Sequence, residues 1–263
     1  MKKLFSLVIP FLIVLTACSS PVLETVTDLL PGEGATTSSE GEVHWGYGDE
    51  NGPENWGEHF EHCKGKNQSP INISGPNGQD LVNVAFHYES SALKLFNNGH
   101  TVQASIDRGY IEFAGFRYNV AQIHFHAPSE HHVEGEPFDA EFHIVHNTGD
   151  DYAVIGLLLR EGAANPAFDS FINNALTAET QEKEVPDATI NLADLLPSVQ
   201  TTYRYNGSLT TPPCTESVKW LVMTTPVEVS DEQLEKLKSI FEHDNNRPVQ
   251  QLNDRPLFED NTP

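Results

Sequence analysis

From residue 91 onward, apolar and polar positions come in short runs separated by Gly, Pro and Asn. "ALKLF" (92–96), "TVQASI" (101–106), "YIEFAG" (110–115), "FRYNVAQIHFH" (116–126), "AEFHIVH" (140–146) and "AVIGLLL" (153–159) follow one another in this way. Successive side chains of a strand point to opposite faces, so period-two runs bounded by turn residues predict strands, paired mainly antiparallel. Helical signals are few. "NPAFDSFINNAL" (165–176) offers Asn165 as N-cap and Pro166 at the first helical position, and "SDEQLEKLKSIFEH" (230–243) opens with a capping box of Ser230 and Gln233. The expected fold is mostly β, of the α+β class. It is a single domain over residues 43–260, built on a large twisted, mainly antiparallel central sheet with a few short surface helices. No internal repeat and no glycine-rich phosphate loop interrupts that pattern.

A different pattern precedes it. Lys2 and Lys3 stand before "LFSLVIPFLIVL" (4–15), an apolar run too short for a membrane span and flanked like a secretory signal. "LTAC" (15–18) resembles the lipobox of bacterial lipoproteins, which implies cleavage after residue 17 and acylation of Cys18. An ordinary signal peptide with an incidental cysteine is the alternative. Residues 18–42 are rich in Ser, Thr, Gly, Pro and Glu with no sustained apolar period, as expected of a tether between membrane and domain. The expected location is extracytoplasmic, lipid-anchored to a bacterial membrane.

Cysteine number is consistent with that location. Three cysteines leave an odd thiol in an exported chain unless one has another use. With Cys18 acylated, Cys63 and Cys214 remain, and an oxidising compartment favours a disulfide between them. Two inert buried thiols are the alternative. Fifteen basic against 38 acidic side chains give a net charge of −23, which speaks against nucleic acid or anionic lipid headgroups as partners.

Chemistry concentrates in "QIHFHAPSEHHVEGEPFDAEFHIVH" (122–146), with its six histidines. On a strand, Gln122, His124 and His126 share one face while Ile123 and Phe125 take the other. Pro128, Gly135 and Pro137 can reverse the chain, and antiparallel return of "AEFHIVH" brings Glu141, His143 and Val145 alongside. Three neutral imidazoles with an open fourth position are what a catalytic zinc requires. A cupin shares part of this pattern, with His124, His126 and Glu130 followed by His143 and Asn147, but it needs a longer intermotif stretch and a Pro-x-Gly before the last histidine.

Six separated motifs decide between these. "HWGYGDENGPENW" (44–56), "NQSPINI" (67–73), "NNGHTVQ" (97–103), "QIHFHAPSEHH" (122–132), "EFHIVH" (141–146) and "YNGSLTTPPCTESVKW" (205–220) occur in this order. Together they resemble an α-class carbonic anhydrase, in its bacterial secreted lipoprotein form, over about residues 43–258. The resemblance implies reversible hydration of CO2 to bicarbonate and a proton by attack of zinc-bound hydroxide. His124, His126 and His143 would hold Zn2+, and Gln122, Glu141 and a carbonyl near Asn245 would fix their rings. Thr210 would accept a hydrogen bond from the nucleophile and donate its own proton to Glu130, while Thr211 serves bicarbonate. His100 would be the proton shuttle, with Tyr47, Asn98 and Gln103 ordering water. Val145, Val154, Leu209, Val218 and Trp220 would form the apolar wall for CO2.

The same resemblance places a disulfide at Cys63 and Cys214, bracing the Thr210 loop, and allows a homodimer, the state of many bacterial members. Its departures are Gln103 for a usual asparagine, Ala127 for a common tryptophan, and Thr101 after the shuttle residue. His131, His132 and His146 receive no ligand role and are expected at the surface or in packing. Two other function classes stay open at this level: an inactive binding module of the same fold, and a metal-dependent hydrolase or cupin oxygenase.

Overall fold

The computed structural model describes residues 44–262. The signal, Cys18 and the tether lie outside the described residues. Among those described, thirteen strands form one mixed sheet and three short ones a second.

Five strands of the large sheet carry most of the architecture. Ser91–Asn97, Val102–Ser105, Phe116–His126, Ala140–Asn147 and Tyr152–Glu161 are neighbours in chain order, each antiparallel to the next. The alternation of "FRYNVAQIHFH" and "AEFHIVH" is realised as expected: Ile123, Phe125, Phe142 and Ile144 all enter the main apolar cluster. Phe142 packs its ring against Phe125, Phe168 and Phe171, with centroids 5.1–5.7 Å apart.

The sheet is less uniformly antiparallel than the turn spacing suggests. Tyr152–Glu161 pairs in parallel with Glu216–Met223 and with Val227–Val229, and Phe258–Asp260 with Asn77–Gln79. "AVIGLLL" shows why. This run does not alternate, and residues 152–159 are buried on both faces, the environment in which parallel pairing is usual. At the sheet's edge, Thr180–Ile190 is exposed, charged and irregular in register, features that discourage pairing with another chain.

Both helix starts hold. Asn165 Oδ1 accepts from Ala167 N, and Ser230 and Gln233 cap each other reciprocally. The first element is shorter than expected: a 3-10 turn, Pro166–Phe168, runs into a single α-turn, Asp169–Ile172. It is held by burial of Phe168, Phe171 and Ile172 and not by length. The second, Asp231–Lys238, buries Leu234 and Leu237 in the same cluster. Helices therefore cover one face of the central strands, and the polar residues occupy the other.

Candidate metal centre and active site

Register places the three expected ligands together. His143 stands opposite His124, Glu141 opposite His126 and Val145 opposite Gln122. The free nitrogens of His124, His126 and His143 lie within 4.8 Å of one another. The far nitrogen of each ring meets an oxygen that can only accept. His124 Nδ1 donates to Gln122 Oε1 at 2.8 Å, His126 Nδ1 to the Asn245 carbonyl at 2.6 Å, and His143 Nε2 to Glu141 Oε1 at 2.9 Å. The ring hydrogens are thereby assigned, and three lone pairs converge.

His126 Nε2 is buried with no hydrogen-bond partner, and His143 Nδ1 faces His124 Nε2 at 3.3 Å with no hydrogen between them. Such an arrangement is repulsive without a cation, and three imidazoles leaving one open position fit zinc in its catalytic form. Burial lowers the pKa of all three, His126 to about 4, so the rings are neutral and ready to ligate at pH 7.

Two buried carboxylates stand behind the ligands and are driven apart in acidity. Glu130 Oε1 accepts from Arg247 N at 2.8 Å, and the Thr210 hydroxyl lies close enough to favour the ionised form of the carboxylate. Burial nevertheless raises its pKa to about 7, against the opposing effects of His143, Arg247 N and Thr210. Burial would also raise Glu141, yet His131 and His143 hold it well below the usual carboxylate range. Four donors converge on it: His143 Nε2 and His131 Nδ1 on Oε1, and the amides of Glu130 and His131 on Oε2. One carboxylate is poised near neutrality while the other remains a fixed anion.

His131 is thus neither a surface residue nor simple packing. Its Nε2 meets the Tyr205 hydroxyl at 2.7 Å, and that hydroxyl donates to Ser69 Oγ at 2.8 Å. Gly207 makes the approach possible, since a Cβ there would lie 2.0 Å from Ser69 Oγ. His146 is equally buried, held between the Tyr88 hydroxyl and the Ala153 carbonyl, whereas His132 is half-buried in a short strand. Ser69 and Tyr205 fall within two of the quoted motifs but carry no assigned role there, and Arg247 lies outside all six. Their partners lie 74–179 residues away, so no local pattern announces these bonds.

Asn98 Oδ1 accepts from the amides of His100 and Thr101, shaping the loop that presents His100. The His100 ring stacks on Trp45, with centroids 3.7 Å apart, and lies 6.2 Å from His44. Burial, then His44, lowers its pKa to about 4. Gln103 stands directly opposite His124. Tyr47 Oη, Asn98 Nδ2 and Gln103 Nε2 are buried without protein partners, as groups that serve bound water are.

Four of the five apolar residues are brought onto the site's side. Val145, Val154 and Trp220 align across three adjacent strands, and the Trp220 ring lies 4.8 Å from that of His143. Val218 is two residues away on the same strand face and Leu209 begins the neighbouring loop. That loop, with Thr210 and half-buried Thr211, is closed by Leu209 N to Thr215 O at 2.9 Å and Cys214 N to Thr211 O at 2.8 Å. Cys63 and Cys214 form the expected disulfide, and Arg247 donates to the Cys63 carbonyl beside it.

Comparisons with known proteins agree with this geometry. The family model for eukaryotic-type carbonic anhydrase matches residues 51–261. A carbonic anhydrase of Nostoc sp. is 39% identical over 228 residues, covering 82% of this chain and 86% of the relative. That of Pectobacterium atrosepticum is 40% identical over 231 residues, covering 85% and 93%. The solved α-carbonic anhydrase of Thermovibrio ammonificans, a complex with the inhibitor sulfanilamide, superposes with a TM-score of 0.79 at 42% identity, covering 83% of this chain and all of that one. With the histidine triad, the Glu130–Thr210 pair and the sheet all in agreement, the chain belongs to the eukaryotic-type, or α-class, carbonic anhydrase family.

Proposed function

We propose that the protein interconverts CO2 and bicarbonate with a zinc ion on His124, His126 and His143, outside the cytoplasm and tethered through a lipid on Cys18. The observation that carries the activity is the set of three inward lone pairs, fixed by outward N–H groups, beside a buried Glu130–Thr210 pair. When bound, zinc would supply the Lewis acidity that brings hydroxide within reach at neutral pH.

The side chains supply the rest. When Glu130 is ionised it would take the Thr210 hydrogen, leaving the Thr210 oxygen only able to accept and so to select a nucleophile that still carries a hydrogen. Arg247 N holds Glu130 in place for this. Val145, Val154, Leu209, Val218 and Trp220 offer CO2 a surface with no competing hydrogen bond, and Thr211 receives bicarbonate. His100 takes the departing proton from water ordered by Tyr47, Asn98 and Gln103. Burial, then His44, disfavour the charged ring, so a proton taken up by His100 passes on readily to buffer.

Stopped-flow CO2 hydration by residues 19–263, with and without chelator, tests the activity. Hydration well above buffer that chelation removes and zinc restores is expected, and no zinc-dependent hydration would reject it. For the anchor, Cys18→Ser should move the protein from the membrane to the soluble fraction, and a variant that stays membrane-bound rejects lipidation at that residue.

A further inference from the structure

Asn245 has a role for its main-chain carbonyl, which orients His126, but its side chain is committed elsewhere. It is 3% exposed, in a segment without regular structure that follows the Asp231–Lys238 helix. Its Nδ2 donates to the His100 carbonyl at 3.1 Å and to the Phe125 carbonyl at 3.1 Å, and its Oδ1 accepts from Ala127 N at 2.8 Å. Both amide hydrogens are used, one on the loop that carries the shuttle histidine and one on the strand that carries His124 and His126. Thr101 Oγ1 adds a second tie between the same two elements, donating to the same Phe125 carbonyl at 2.7 Å.

We infer that the Asn245 side chain is a positioning residue for proton transfer, setting the distance between the His100 loop and the ligand strand. This inference rests on the carbon dioxide reading above. The His100 amide is fixed by Asn98 and its ring by Trp45, so its carbonyl is the remaining handle, and Asn245 holds it. Proton relay through ordered water depends on that spacing, because a chain of hydrogen bonds tolerates little displacement at either end. A misplacement of about 1 Å can cost up to about a hundredfold in a step that needs alignment.

Asn245→Asp separates this role from the carbonyl's. It keeps the size, the main-chain carbonyl on His126 and an acceptor for Ala127 N, but replaces both donors with an oxygen facing two carbonyl oxygens. In the zinc-loaded full chain, kcat in weak buffer should fall roughly tenfold more than kcat/KM, and added imidazole should restore it. In the metal-free chain, amide exchange at His100 and Thr101 should speed up while that at Ile123 stays unchanged. Asn245→Ser, whose hydroxyl is too short to reach His100, replaces the aspartate variant if that one fails to fold. Equal falls in kcat and kcat/KM without imidazole rescue, an unaltered kcat, or unaltered exchange at His100 would each overturn the inference. The exchange measurement needs no turnover, so a wild-type chain that fails to hydrate CO2 removes the activity reading separately.

Discussion

The 116–126 and 140–147 strands have two faces of opposite chemistry, and both reach deep burial. On one lie Ile123, Phe125, Phe142 and Ile144; on the other lie His126, Glu141 and His143, each no more than 1% exposed. Polarity therefore does not report exposure here. What differs is how the buried atoms are satisfied. The apolar face needs only close packing, whereas the polar face survives burial because nearly every donor meets an acceptor, save a few atoms aimed at one point. A metal site of this kind is a second core, built from hydrogen bonds.

That comparison can be broken from either side. Phe142→Ala removes the ring at the centre of the apolar face and should cost about 3–5 kcal/mol in denaturant unfolding of the metal-free chain. Zinc stoichiometry should stay at one per chain, and concurrent loss of the metal would mean that the faces are not independent.

The buried polar side should respond to pH. His146, lying outside the ligand set, titrates at about 4 because burial disfavours its charge. The unfolded chain takes up that proton below about pH 6.5, while the native state refuses it until about 4. Its contribution is therefore complete above pH 6.5 and is lost as pH falls toward 4, a loss of roughly 3 kcal/mol. Urea titrations of the metal-free chain should show a steeper decline for the wild type than for His146→Gln, and parallel slopes would contradict the assignment.

The smallest effect isolates orientation. Gln122→Ala leaves all three ligands but frees the His124 ring, and should weaken zinc by about 10–100-fold in competition with a chelator. Gln122 is buried, but its Oε1 meets only the His124 ring, so unfolding stability of the metal-free variant should fall by about 1 kcal/mol, the worth of one hydrogen bond.

Much of the metal site was legible because the relevant residues are neighbours in sequence. Gln122, His124 and His126 share a face by alternation, and a turn-rich connection returns His143 to them. Other features were not. Nothing local distinguishes Glu130, which burial makes weakly acidic, from Glu141, which four donors keep ionised. His131 looked idle because its partners, Glu141 and Tyr205, come from strands that only the folded sheet brings together. "AVIGLLL" signalled two-sided burial but not which strand would lie parallel to it.

Period-two patterning determined which side chains of each strand face the metal, since the pleat turns every second residue the same way. The motifs determined the chemistry those side chains carry. Which strands lie parallel, and which distant groups surround each buried carboxylate, were decided only by the tertiary structure. Asn245 and Arg247 reach His126 and Glu130 through main-chain atoms that every residue possesses, so this part of their roles follows from position in space and leaves no mark in residue type.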